Sequence, residues 1–134
     1  MAAKAFINLP VKNLDQSISF FSHIGFGFDP HLTDDNAACM IINGHTFFVI
    51  LLKEDYFKTF TKKTICDSTT FTEVLITLHL DSKESIQSMI EKARVLGAII
   101  HEPEDRGWMY QHSLTDLDGH QWEFIFMDES QMPN

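Results

Sequence analysis

A chain of 134 residues with a net charge of −9 is long enough for one domain with a real core. Its acidic balance argues against nucleic acid and against an anionic membrane surface as partners. An ordinary apolar fraction with interspersed charge argues against disorder, and twelve phenylalanines imply an aromatic-rich interior.

The chain says one thing twice. Phe6-Ile7-Asn8-Leu9-Pro10-Val11 is an alternating apolar run that ends at Lys12-Asn13 and leads into a helical pattern. Leu75-Ile76-Thr77-Leu78-His79-Leu80 does the same and ends at Asp81-Ser82. A repeat of roughly 60 residues implies two copies of one supersecondary module, with a ligand site expected between them.

In chain order, a first strand is predicted from about Ala5 to Val11, with Phe6, Asn8 and Pro10 on one face. Asn13 suits an N-cap and Asp15 the first helical turn. Leu14, Ile18, Phe21 and Ile24, with Phe20 beside them, form a core stripe that ends at Gly25. His23, late in this helix, meets its negative end. A short strand begins at Phe26-Gly27-Phe28. Ala37 to Ile42 and Thr46 to Leu52 then pair across the Asn43-Gly44 turn. Residues 53–73 read as a polar bridge, either a lid or a plain linker, in which Glu54 to Phe60 could turn once as a helix.

The second module repeats the order. A strand from Val74 to Leu80 precedes a helix capped by Ser82, with Ile86, Met89, Ile90, Ala93 and Leu96 on one face. The helix ends at Gly97, and Ala98 to His101 forms a short strand. A charged loop from Glu102 to Gly107 follows, and then a hairpin of Trp108 to Thr115 and Gln121 to Met127. Asp116-Leu117-Asp118-Gly119 is its turn, and turn hydrogen bonding accounts for both aspartates. The tail from Asp128 to Asn134 is polar and expected to fray.

Cys39 lies in an apolar run and Cys66 in a polar one, with no metal-binding spacing. No signal-peptide pattern and no apolar run of about 18 residues is visible, so a reducing cytoplasm is expected.

The order βαβββ–βαβββ, the opening Leu9-Pro10-Val11-Lys12-Asn13-Leu14 and the closing Asp116-Leu117-Asp118-Gly119-His120-Gln121-Trp122-Glu123 resemble the vicinal oxygen chelate superfamily. That superfamily includes glyoxalase I, fosfomycin and bleomycin resistance proteins and extradiol dioxygenases. The resemblance spans roughly residues 5–127. It implies an α+β fold in which two βαβββ modules form a half-open, barrel-like mixed sheet around a central cavity. The single domain of residues 1–134 would then divide into module one at about 5–52, the bridge at 53–73 and module two at about 74–127.

Metal-using members of the superfamily take one ligand from the first strand and one from the last strand of each module. Carried onto this chain, the first-strand positions are Phe6 and Leu75, and the strand from Thr46 to Leu52 offers no carboxylate, histidine or amide side chain. Only Glu123 fills a ligand position. The resemblance therefore implies a small-molecule binding protein with a degenerate metal site, an apolar cavity and no cofactor. The alternative is a lyase, isomerase or dioxygenase that depends on a divalent metal or on Glu123. No catalytic residue is assigned.

The candidate ligand-binding residues are Phe6, Asn8, Leu75, Thr77, Tyr110 and Glu123. Glu123, among apolar neighbours, has a raised pKa unless a cation or donor pairs it. It could serve as a general base, anchor a ligand, or hydrogen-bond Tyr110 or Asn8. A displaced metal site of His79, His112 and Glu123 is the alternative to local hydrogen bonding by those histidines. His31, His45 and His120 are expected in solvent. Arg106-Gly107-Trp108 could edge the pocket mouth or simply be solvated. The unpaired apolar strands favour a homodimer.

Overall fold

The computed structural model describes residues 1–133. They divide into two compact units, Met1–Cys66 and the described residues from Asp67 onward. Among the described residues no helix is long and apolar enough to cross a membrane.

The first unit runs β1 (Ala5–Val11), α1 (Leu14–Ile24), β2 (Gly27–Asp29), β3 (Ala37–Asn43), β4 (Phe47–Lys53) and the short α2 (Glu54–Phe57), with a 3-10 turn over Lys58–Phe60. Its sheet has the order β1-β4-β3-β2, with β1 parallel to β4 and the other pairs antiparallel. Asn13 caps α1 by accepting the Gln16 amide, and the helix ends at Gly25. Leu14, Phe20, Phe21 and Ile24 cover a sheet face of Leu9, Val11, Ala38, Met40, Val49 and Leu51, all buried. Ser17 is buried in that stripe, whereas Ile18 lies at its margin. The expected stripe is thus rotated, because consecutive Phe20 and Phe21 both turn inward at right angles, with ring centroids 5.0 Å apart.

The second unit repeats this path with β5 (Leu75–His79), α3 (Lys83–Val95), β6 (Ile99–Ile100), β7 (Glu104–Asp105), β8 (Met109–Thr115) and β9 (Gln121–Met127). The order is β5-β9-β8-β6, again with the first strand parallel to the last. Each unit is thus a strand, a helix and further strands, which is the expected α+β module. Two details differ. Ala98–His101 is ordered as strand only at Ile99–Ile100, and the charged loop contains β7, paired to β8. Ser82 caps α3 through the Ser85 amide. Ile86, Ile90 and Ala93 are buried, while Met89 is half-buried and Leu96 is exposed at the helix end.

The Asp116–Gly119 turn is built around an aspartate. Asp116 Oδ1 accepts the amides of Asp118 at 2.9 Å and His120 at 3.0 Å, and Oδ2 accepts the Trp122 indole N–H at 2.9 Å. Burial pushes the Asp116 carboxyl above its ordinary range, while the charge of His120 and the three donors pull the other way. His120 is itself only 8% exposed, which corrects its expected place in solvent. It sits there because Asp116 draws the chain inward at that amide.

Segment 67–70 is seated on the same turn. Ser68 Oγ donates to the Asp118 carbonyl at 2.6 Å. Gly119 has φ of +92°, and a Cβ there would lie 2.5 Å from the Ser68 carbonyl oxygen. Gly119→Ala should therefore cost at least about 2 kcal/mol. Gly44→Ala, with φ of +49° but open space around it, should cost about 1 kcal/mol, read by urea unfolding of both variants.

Asp116→Asn keeps an acceptor for the two amides but turns an NH2 group toward the indole N–H. A buried donor is then left unpaired. We expect a loss of about 1–3 kcal/mol, seen as a lower urea midpoint at unchanged slope.

Candidate functional site

Strand alternation gives each sheet one face under its helix and one face that the helix leaves open, although Cys39, Phe48 and Leu52 on that face of the first unit are buried. On the open face of the first unit, β1 contributes Phe6, Asn8 and Pro10, opposite Phe48, Ile50 and Leu52 of β4. Phe6 is 42% exposed and stacks on Phe48, with ring centroids 4.9 Å apart and planes inclined by 14°. Asn8 is exposed in this apolar setting and is the one hydrogen-bonding side chain that β1 and β4 bring to the face. Cys39 is buried there, and burial, with Asp29 adding, pushes its thiol up and leaves it inert.

On the open face of the second unit, register places Thr77 beside Glu123 and Ser113 opposite it. Thr77 Oγ1 donates to Glu123 Oε2 at 2.9 Å. No other hydrogen bond or ion pair reaches the Glu123 side chain among the described residues. Leu75, 54% exposed, and His79 flank Thr77 on β5. Gln121 and Ile125 flank Glu123 on β9, and Gln111 and Thr115 flank Ser113 on β8. His79 Nε2 accepts the Met127 amide at 3.1 Å, and the ring lies against Phe126.

Tyr110 does not neighbour Glu123. Its partner across the hairpin is Phe126, so it lies on the helix face, away from Glu123. It is 7% exposed, its hydroxyl meets His112 Nδ1 at 3.2 Å, and Lys83 Nζ stands 5.0 Å from its ring centroid. Lys83 is held in turn by Asp105 at 2.6 Å. His112 shares this face, since its partner is Phe124. The alternative grouping of His79, His112 and Glu123 is thus split by the sheet, and both histidines make the local hydrogen bonds that were the other reading. Among the described residues no three His, Cys, Asp or Glu side chains are gathered to hold a metal ion. Arg106 is bonded to Glu104, at 2.6 Å and 2.9 Å.

The residue that sequence reasoning missed as a neighbour of Glu123 is Ser113. The signal was present, because pairing Thr115 with Gln121 across the turn sets Ser113 opposite Glu123.

No protein-family model matches this sequence, and no curated protein does. Solved structures match over almost the whole chain. A hypothetical protein from S. aureus is 26% identical, with 94% of this chain and 95% of that one covered, at a TM-score of 0.78. A glyoxalase/bleomycin resistance protein/dioxygenase family enzyme from Burkholderia phytofirmans PsJN is 14% identical, with 94% and 99% covered, at 0.74. A bleomycin-binding protein complexed with bleomycin is 19% identical, with 93% and 98% covered, at 0.63. At these identities the likeness establishes the fold, and the resemblance to the vicinal oxygen chelate superfamily holds at that level.

His112 carries a pH signature. Its Nε2 lies 2.8 Å from the His101 carbonyl, which can only accept, so Nε2 carries the proton and Nδ1 is free to accept from Tyr110. Burial, with Arg94 adding, lowers its pKa below 6.5, against the His101 bond and the charges of Glu102 and Glu91. The unfolded chain therefore takes up this proton first as pH falls. Stability contributed at this site is present above pH 6.5 and is lost as pH drops toward the lower folded value. His112→Gln should show a shallower fall in stability below pH 6.5 than the parent, measured by urea unfolding across a pH series.

Proposed function

Starting from the glyoxalase/bleomycin resistance/dioxygenase fold, we propose that this chain is a small-molecule binding protein whose chelating site is degenerate. The observation that carries the reading is the side-chain content at the places where a metal would be held. Phe6 and Leu75 occupy the first strands, β4 (Phe47–Lys53) carries no conventional ligand facing the open side, and Glu123 stands alone with Thr77. The second unit's face can receive an apolar body and offer it one carboxylate, and neither face by itself carries the ligands to clasp two neighbouring oxygens through a metal.

The ligand contacts proposed are Phe6 and Asn8 on the first unit's face and Leu75, Thr77 and Glu123 on the second unit's face, each face taken by itself. Tyr110 drops out because it faces the helix. A protein of this fold is a bleomycin-binding protein complexed with bleomycin, which supports small-molecule binding as a function the fold can carry. We include a cytoplasmic homodimer in the proposal. The edge strands β1 and β5, with exposed Phe6 and Leu75, support the dimer, and the free cysteines Cys39 and Cys66 are compatible with a reducing compartment.

A second reading, an enzyme working through Glu123 or a metal on it, is favoured by one observation. Glu123 is a carboxylate set on an open sheet face, where a purely structural residue would gain little. Metal analysis separates the two. The protein purified without chelator should hold far less than one zinc, nickel, manganese or iron per chain after dialysis. Adding each metal should leave its melting temperature unchanged. Stoichiometric metal surviving dialysis would overturn the binder reading.

A further inference from the structure

The geometry points to an organic monocation as the ligand of the second unit's open sheet face, with its ammonium group on Glu123. This inference rests on the reading of that face as a small-molecule site, and it specifies the chemistry of the molecule.

The charge balance of the face carries it. Glu123 spends one oxygen on Thr77, and the hydroxyl donor is neutral, so the negative charge is not compensated. Four side chains capable of positive charge stand on this face or beside it, and each has a partner other than Glu123. His101 follows β6 across from Ser113, its amide donates to the Ser113 carbonyl at 3.1 Å, and its Nε2 lies 2.9 Å from Thr115 Oγ1. Arg106, next to the Glu104 that pairs with Gln111, is bonded to that glutamate. His79 uses Nε2 as an acceptor for the Met127 amide, which requires that nitrogen to be unprotonated. Lys83 is bonded to Asp105, whose strand partner Tyr110 belongs to the helix face. The other residues are neutral: Ser113, Gln111 and Gln121 as hydrogen-bonding groups, with Leu75 and Ile125 as apolar ones.

A molecule that covers Glu123 strips water from a charged carboxylate. A neutral apolar body leaves that cost unmet, and an anion adds repulsion. An ammonium group answers it with a short charge-assisted hydrogen bond to the oxygen that Thr77 does not use. The attached carbon skeleton then lies on Leu75 and Ile125, and Ser113 stands across the strand as a further polar contact. The net charge of −9 also draws cations to the molecule.

The test is a charge series on one carbon skeleton: phenethylammonium, phenethyl alcohol and 3-phenylpropionate. Each is titrated into nitrogen-15-labelled protein while the amides of Thr77, Ser113 and Glu123 are followed by NMR. Phenethylammonium should bind about tenfold more tightly than the alcohol, with the propionate weakest. That preference should shrink as salt rises and disappear in Glu123→Gln. Equal binding of alcohol and ammonium, a stronger propionate, or a cation preference that survives Glu123→Gln would overturn the cation inference while leaving a small-molecule site in place. No shift at these amides with any of the three would overturn both the inference and the binder reading beneath it.

Discussion

Parallel pairing of the first strand with the last strand in each unit is the constraint on which the rest depends. Parallel strands cannot be joined by a tight turn, so the chain must travel through a helix and a hairpin before the last strand returns beside the first. In the second unit that return sets Thr77 against Glu123, 46 residues later, and leaves β5 at the sheet edge. In the first unit the same return sets Phe6 against Phe48 and Asn8 against Ile50. One topological rule thus yields an aromatic platform in one unit and a hydroxyl–carboxylate pair in the other. The difference between them is entirely a matter of which side chains the two copies carry.

Much of this was legible in the sequence, because it depends on period and on local chemistry. The alternation of Phe6 to Val11, the cap at Asn13, the helix ends at Gly25 and Gly97 and the turns at Gly44 and Gly119 are local signals, and each lies where it was expected. The faces of β9 were also legible. Trp122 and Phe124 point one way and Glu123 the other, as alternation requires. The face of Tyr110 was not legible, because which side of β8 it takes relative to Glu123 is decided by the hairpin register. β7 went unread since Glu104-Asp105 has no apolar pattern, and pairing with Gln111 and Tyr110 alone makes it a strand.

The Asp116 network shows a different limit. Turn chemistry explains the bonds to Asp118 and His120, but the indole of Trp122 uses the second oxygen of the same carboxylate. Spacing does not reveal such a bond, because it needs the hairpin to close before the two side chains meet. His120 was misread for the same reason. A histidine beside a turn glycine reads as surface until the turn is drawn into the core by its own aspartate. The Thr77 donor belongs here too. Its partner depends on a parallel register that no local pattern encodes.

The seat of Ser68 on the Asp118 carbonyl has a temporal meaning as well. The two residues are 50 positions apart, and Gly119 leaves just enough room for the backbone that lies over it. During synthesis the beginning of the second half emerges first and has nothing to rest on until the closing hairpin has left the ribosome. Throughout that interval β5 is a bare strand with leucine and isoleucine side chains uncovered, open to pairing with any other extended chain nearby. The late arrival of the DLDG turn therefore makes this half of the protein slow to assemble and dependent on its final stretch, and a chain released before that stretch is made would be prone to aggregate.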